Sequence, residues 1–245
     1  MKAVVVTEEG ISVQNVETPK PKENEVLVKV FACGLNRADL VVADGGAHGA
    51  SGGPGTIVGM EFSGEVIELG SKVKDYSIGD RVMCSGSSAW AEYAVADHGR
   101  VIKIPNNNMD YLKASTYPIA LATMHNAIVT AGNFTQGQSV LIQGASSGVG
   151  LMGLQISKYL GAKVVIGTST KPDKFEKLKN DFDILSVQRN LKILKYLHRI
   201  VVLLYIHYLR KTIIIAAVIA IIVQTTKLLL ARTSNKNNYY CRLVI

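Results

Sequence analysis

The stretch "SVLIQGASSGVG", residues 139–150, decides the fold of this 245-residue chain. Its first half is a mainly apolar run of strand length, and its second half contains three glycines within seven residues. A helical pattern, "VGLMGLQISKYLG", follows at once, then a second strand, "AKVVIGT", and a second helix, "PDKFEKLKNDF". Strand, glycine turn, helix and strand predict a βαβ unit with parallel strands, so this part of the chain is α/β.

The glycine turn between this strand and its helix suits a pyrophosphate group. Free backbone N–H groups and the positive end of the helix dipole meet there, and glycines let a ligand approach the backbone. An NTPase loop is excluded, because it would need Gly-Lys followed by Ser or Thr, and Leu151 follows Gly150. A tight turn that only allows close packing is the alternative. The candidate cofactor-binding residues are Ala145, Ser146, Ser147, Gly148, Val149 and Gly150.

The end of the second strand indicates which dinucleotide would bind. An Asp or Glu there would bind the ribose 2′-hydroxyl of NAD and repel a 2′-phosphate. The stretch "GTSTKPDK" instead offers the hydroxyls of Thr168, Ser169 and Thr170 and the charges of Lys171 and Lys174. We therefore predict NADP(H) as the cofactor, the alternative being that the lysines are only the solvated start of a helix.

The first hundred residues read as β-rich, with short apolar or alternating runs separated by Gly, Pro, Asp and Asn. Longer helical patterns begin at Met109. We predict a barrel-like or folded sheet in residues 1–115 and the first part of a dinucleotide-binding domain in residues 116–183.

The segment 184–245 differs from the rest in composition. It contains no Gly, Pro, Asp or Glu and carries ten basic residues, so the chain's net charge of +8 arises from this tail and does not indicate a nucleic-acid partner. Its apolar run 212–223 is shorter than the about 20 residues that cross a bilayer. We expect the tail to be an aberrant, frame-shifted translation that is not native to the fold; a membrane anchor within 201–230 is the alternative.

Three widely separated cysteines and an N-terminus without a signal-peptide pattern predict a reduced, cytoplasmic setting.

Three motifs together resemble one known family: "CGLNRADL" (33–40), "GMEFSGEVIELGSKVKDYSIGDRV" (59–82) and "GQSVLIQGASSGVGLMGLQISK" (137–158). They are similar to the zinc-independent quinone oxidoreductase, or zeta-crystallin-like, branch of the medium-chain dehydrogenase/reductase superfamily. The resemblance implies a GroES-like N-terminal domain followed by a Rossmann domain, here without the family's C-terminal part, and a homodimer. Short-chain dehydrogenases share the glycine loop, but the Tyr159–Lys163 pair needed for that reading spans a helix end.

Zinc-dependent members of the superfamily hold their metal with Cys and His at positions where this chain has Asn36 and Met60, and only Glu61 is retained. Carboxamide and thioether groups are poor zinc ligands, so we predict that no metal binds.

The resemblance places Asn36 and Thr123 among the polar residues near the nicotinamide and the substrate, and we take them as the catalytic candidates. A cap for the following helix is an alternative or additional role for Asn36. The implied reaction is hydride transfer to a small-molecule acceptor, a quinone or an α,β-unsaturated carbonyl. A non-enzymatic NADP-binding protein is the alternative function.

Overall fold

The computed structural model describes residues 1–49, 51–105, 108–182, 185–188 and 243–244. The chain forms two compact units, Met1–Thr123 and Met124–Ile245. The division between the units falls inside the helix Pro118–His125. It lies a few residues beyond the domain boundary between residues 115 and 116 that the sequence predicts.

The first unit consists of short strands joined by turns. The strands are β1 (Lys2–Thr7), β2 (Gly10–Asn15), β3 (Glu25–Cys33), β4 (Ala47–His48), β5 (Ser51–Gly52), β6 (Glu61–Leu69), β7 (Arg81–Ser85), β8 (Tyr93–Asp97) and β9 (Val101–Lys103). The helices are α1 (Arg37–Ala43), α2 (Tyr111–Ala114) and α3 (Pro118–His125), whose last two residues belong to the second unit. This composition confirms the β-rich N-terminal domain.

A five-stranded antiparallel sheet in the order β8-β3-β6-β7-β9 forms the centre of this unit. The register of β3 against β6 shifts at two places, and such bulges increase strand twist. One face of the sheet supplies the core, where fully buried side chains include Val26, Val28, Phe62, Val66 and Val82. The observed sheet confirms the folded sheet that the alternating apolar pattern predicts.

The second unit contains the βαβ element that the glycine stretch predicts. Its elements are β10 (Ser139–Ile142), α4 (Gly148–Tyr159), β11 (Val164–Ser169), α5 (Phe175–Phe182), β12 (Leu185–Gln188) and β13 (Leu243–Val244). Strands β10 and β11 pair in parallel with α4 between them, and Ile142 lies opposite Gly167. Helix α4 packs closely on this sheet, because a Cβ at Gly153 would come within 3.3 Å of the Ile142 side chain.

The sheet of the second unit continues beyond residue 183. Strand β12 pairs in parallel with β11, and β13 pairs antiparallel with β10, giving the order β12-β11-β10-β13. Both outer strands, β12 and β13, lie in the segment 184–245, whose composition differs from that of the rest of the chain. The rest of that segment, including the alternative anchor region 201–230, lies outside the described residues.

No helix within the described ranges combines the length and the apolarity that a bilayer span needs.

Candidate functional site

The turn between β10 and α4 depends on two glycines. Gly144 has a φ of +68°, in the left-handed region that favours glycine. A Cβ at Gly150 would lie 2.7 Å from the Cα of Ala145 and closer still to the carbonyl oxygen of Gly144. Gly144 therefore forms the turn, and Gly150 lets the first turn of α4 pack against it.

Ser147 caps the N-terminus of α4. Its hydroxyl accepts from the N–H of Gly150 at 3.0 Å and donates to the carbonyl oxygen of Gly144 at 2.8 Å. A serine at this position satisfies one of the N–H groups that a helix start leaves unpaired. The side chain of Ser147 is thus used to build the turn, and the same bonds fix the direction of the remaining N–H groups.

Three N–H groups of the turn lack an acceptor among the described residues, and they belong to Ser146, Gly148 and Val149. Space at Gly148 is open, since a Cβ there would meet nothing within 4 Å. Unpaired N–H groups at the positive end of a helix dipole form an anion-binding site. The site therefore fits a phosphate group, with Gly148 facing the open side.

Ala145 differs from its neighbours in the turn. It is fully buried, and its N–H donates to the carbonyl oxygen of Thr168 at 2.8 Å. This N–H group is consumed in joining the turn to β11. Ala145 therefore has a structural role here, although it remains beside the predicted phosphate site.

The hydroxyl groups at the end of β11 are largely enclosed. Thr168 is 9% exposed and Ser169 is 2% exposed. The hydroxyls of Ser169 and Ser146 share a hydrogen bond of 2.9 Å, and the Ser169 hydroxyl also accepts from the N–H of Lys171 at 3.1 Å. The structure thus brings the turn and the strand end together, as the sequence predicts, but it uses Ser169 to hold them together.

The groups that remain accessible at this strand end are Thr170 and Lys171, which are exposed, and Lys174, which is half-buried. Lys174 lies in a single 3₁₀ turn, Pro172–Lys174, and its N–H donates to the carbonyl oxygen of Lys171 at 3.1 Å. This turn places both lysines directly after β11. Two positive charges at this point suit a 2′-phosphate, and the choice of NADP(H) remains a prediction.

In the first unit, the side chain of Asn36 is held by a buried acid. The Asn36 amide donates to Oε1 of Glu61 at 2.8 Å, while Oε2 of Glu61 accepts from the N–H of Ile119 at 2.9 Å. Glu61 is only 4% exposed, at the start of β6. Because Ile119 lies in the first turn of α3, the carboxylate joins the segment that carries Asn36 to the positive end of that helix.

Asn36 is also the N-cap of α1, which is the second role that the sequence predicts for this residue. Its N–H donates to Oδ2 of Asp39 at 2.7 Å, and the Asp39 N–H donates back to the Asn36 carbonyl oxygen at 3.0 Å. The cap is made mainly through the backbone of Asn36, so its side-chain amide is left for Glu61. Both roles are therefore compatible.

The two acids beside Asn36 are unusual in their burial. Asp39 is 1% exposed, and its Oδ1 has no hydrogen-bond partner among the described residues. Burial raises the pKa of Asp39, against smaller opposing effects of the Asn36 N–H and of His48. Burial also raises the pKa of Glu61. The hydrogen bonds from the Ile119 N–H and the Asn36 amide lower this pKa, and the nearby Asp39 raises it further. The pair makes this corner of the unit sensitive to proton uptake.

Thr123 lies on α3, four residues after Ile119, and its side chain is exposed. Residues four apart share one side of a helix. Glu61 therefore bonds the same helix about one turn before Thr123. The structure links the two catalytic candidates through this helix.

The sequence identifies Glu61 only as the retained residue of the zinc-dependent motif and does not predict its bonds to Asn36 and Ile119. In the apolar run "IVGMEFSG", residues 57–64, it is the only charged residue. A single acid within a buried strand is the signal that identifies it, because such groups are rarely buried without a partner.

Within the described residues, no three His, Cys, Asp or Glu side chains converge as metal ligands would. Asn36, at the position of a zinc ligand in the metal-dependent relatives, is engaged by Glu61. The absence of a metal remains a prediction.

Comparison of the sequence with known proteins gives a family match and a relative. Residues 22–106 match the family described as Alcohol dehydrogenase GroES-like domain. A quinone oxidoreductase from Lama guanicoe is 33% identical over 187 residues, which is 74% of this chain and 56% of that protein. The chain thus spans about half the length of this relative.

Solved structures agree with the sequence comparison. The human synaptic vesicle membrane protein VAT-1 homolog-like protein is 33% identical, with a TM-score of 0.67 over 76% of this chain and 61% of that one. A mycobacterial protein in complex with NADPH is 26% identical, with a TM-score of 0.68 over 81% of this chain and 62% of that one.

Proposed function

We propose that this chain, which belongs to the medium-chain dehydrogenase/reductase superfamily, is a zinc-independent, NADPH-dependent oxidoreductase whose acceptor is a quinone or an α,β-unsaturated carbonyl. The observation that carries the proposal is the group of three unpaired N–H groups, those of Ser146, Gly148 and Val149, beside open space at the start of α4. Such an arrangement suits the pyrophosphate of a dinucleotide.

The residues of the second unit fit this cofactor. The N–H groups of Ser146, Gly148 and Val149 would bind the pyrophosphate, while Lys171 and Lys174 would bind the 2′-phosphate. When bound, the nicotinamide supplies the hydride that the reaction needs. Thr168 and Ser169 support this site from inside, since both are buried and Ser169 bonds the turn through Ser146.

In the first unit, Asn36 would bind the acceptor. One hydrogen of its amide is donated to Glu61, which leaves the second free to donate to a carbonyl oxygen. A donor aimed at this oxygen stabilises the negative charge that develops as a hydride is added to the conjugated system. Thr123, exposed on α3, would add a hydroxyl on the same helix that Glu61 caps.

Independence from zinc is part of the proposal. Asn36 and Met60 offer a carboxamide and a thioether where metal-dependent relatives offer a thiolate and an imidazole, and zinc strongly prefers the latter pair. The remaining acid, Glu61, has both oxygens engaged by N–H donors.

A protein that binds NADP(H) without turnover is the second candidate, because the unpaired N–H groups at the start of α4 serve cofactor binding alone. That candidate shares the α4 site with the enzyme.

The full chain tests both candidates in one experiment. NADPH and NADH are titrated by fluorescence, and NADPH consumption is followed with a benzoquinone and with a cyclic enone, each with and without a metal chelator. Saturable NADPH binding with chelator-resistant turnover supports the enzyme. Binding without turnover supports the second candidate, and the absence of binding contradicts both.

A further inference from the structure

The amide of Asn36 can serve an acceptor only if its NH₂ end, and not its oxygen, is presented correctly. We propose that Glu61 is the positioning residue that fixes this orientation and joins Asn36 to helix α3. The inference rests on the proposed function for the role of Asn36, but the contacts that carry it are independent of that role.

The hydrogen bonds of Glu61 decide the orientation of the amide. Oε1 lies 2.8 Å from Nδ2 of Asn36, and Oε2 accepts from the N–H of Ile119 at 2.9 Å. An ionised carboxylate can only accept, so the amide oxygen of Asn36 cannot face it. The carboxylate therefore holds the NH₂ group in one place and leaves its second hydrogen directed elsewhere.

The surroundings prevent Glu61 from moving away. It is 4% exposed, and a Cβ at Gly34 would lie 2.5 Å both from its Oε1 and from the carbonyl oxygen of Ser115. The backbone two residues before Asn36 thus lies directly against the carboxylate. A side chain enclosed in this way keeps a single rotamer and transmits its orientation to the groups that it bonds.

Glu61 also joins two segments of the unit. Asn36 caps the start of α1, whereas Ile119 belongs to the first turn of α3, the helix that carries Thr123. A carboxylate at a helix N-terminus is stabilised by the helix dipole. The carboxylate therefore sets the position of Asn36 relative to Thr123, although it touches no acceptor itself.

The substitution Glu61→Gln separates this role from packing, since it preserves shape. The buried N–H of Ile119 keeps an acceptor only if the Gln oxygen faces it. The Gln NH₂ group then faces Asn36, whose amide must turn its oxygen toward it. The variant should fold, yet it presents the wrong end of Asn36. Glu65→Gln is the matched control, because Glu65 lies on the same strand and accepts from the Tyr111 hydroxyl at 2.8 Å.

The first readout is the ¹⁵N–¹H spectrum of the full chain, with the Asn36 NH₂ signals assigned by their loss in Asn36→Ala. In the unmodified chain one of the two hydrogens should be shifted downfield by the carboxylate. Glu61→Gln should abolish that shift, and Glu65→Gln should keep it. Ordinary shifts in the unmodified chain, or a downfield shift that survives Glu61→Gln, would overturn the proposal.

The second readout is steady-state turnover. Glu61→Gln should lower kcat by about 10²-fold, the effect of losing one donor to a developing negative charge, with a smaller change in KM. In the Asn36→Ala background it should lower kcat no further, because it acts through Asn36. An equal loss in both backgrounds would contradict positioning. If the unmodified chain turns over no acceptor, the proposed function fails, while the NMR readout still decides the role of Glu61.

Discussion

Replacing Gly148 by Asp tests the phosphate site without disturbing the fold. Gly148 is the first residue of α4, it is exposed, and an added Cβ would meet nothing within 4 Å. An acidic residue in the first turn of a helix stabilises it by about 0.3–1 kcal/mol through the helix dipole. The variant should therefore be as stable as the unmodified chain or slightly more stable.

The same substitution should abolish cofactor binding. Two like charges 4 Å apart repel by about 4 kcal/mol at an effective dielectric constant of about 20. That energy corresponds to a loss of about 10³-fold in affinity for a pyrophosphate beside the new carboxylate. Gly148→Ala is the control, since it adds the Cβ without the charge and should weaken binding far less.

The assay pairs fluorescence titration with NADPH and urea unfolding on the same samples. Gly150→Ala should differ from Gly148→Asp in stability. Its Cβ would lie 2.7 Å from Ala145 Cα, so it should lower the free energy of unfolding. Binding of NADPH by Gly148→Asp as tight as by the unmodified chain would exclude a phosphate beside Gly148. A loss of binding that comes only from unfolding of Gly148→Asp would contradict the expected stability.

Three further variants test the 2′-phosphate site, the buried Asp39 and the contacts of Tyr111. The double variant Lys171→Glu, Lys174→Glu should lower the ratio of NADPH affinity to NADH affinity by about 10–100-fold, which is the value of one charge-assisted hydrogen bond. An unchanged ratio in titrations with the two cofactors would exclude both lysines from the 2′-phosphate site. Burial raises the pKa of Asp39, so the native state binds a proton that the unfolded chain has released. Stability should therefore fall as pH rises from about 4, the pKa of Asp in the unfolded chain, through the raised pKa of the folded chain. In thermal melts at several pH values, Asp39→Asn should flatten this dependence. A melting temperature of the unmodified chain that rises over that range would contradict the predicted direction. Tyr111→Phe removes the hydrogen bond to Glu65 but keeps the ring stacked on Phe31 at 4.9 Å, so urea unfolding should show a loss of about 1 kcal/mol, and no loss would assign Tyr111's contribution to stacking alone.

The fold could be predicted largely from local patterns. A glycine turn between an apolar strand and an apolar helix has few other solutions, and Gly144 and Gly150 occupy the positions that the turn geometry demands. Strand β12 was harder to predict, because "LSVQ" follows a charged helix in a segment without Gly or Pro, where composition gave no turn signal. That strand forms by pairing with β11, and local composition does not predict such tertiary contacts.

The candidate site could be predicted only in part. The pattern indicates which residues form the turn, but it does not show which N–H groups are already used: Ala145 donates to Thr168, whereas Ser146, Gly148 and Val149 remain unpaired. Polar side chains at a strand end likewise look available in sequence, yet burial assigns the Ser169 hydroxyl to internal bonds.

In the first unit, residue type alone could not reveal the pairing of Asn36 with Glu61. These residues are 25 positions apart and meet only because β3 and β6 are neighbours in the sheet. Long-range pairings of this kind depend on strand order, which sequence periodicity does not specify.

The most direct test of the central claim is a ¹⁵N–¹H titration of the full chain with NADPH, followed at each backbone amide. The N–H signals of Ser146, Gly148 and Val149 should show the largest saturable shifts, since these groups have no acceptor among the described residues. The Ala145 N–H, already bonded to Thr168, should shift less. Absent saturation, or shifts centred away from the start of α4, would contradict the assignment of this turn as the cofactor site.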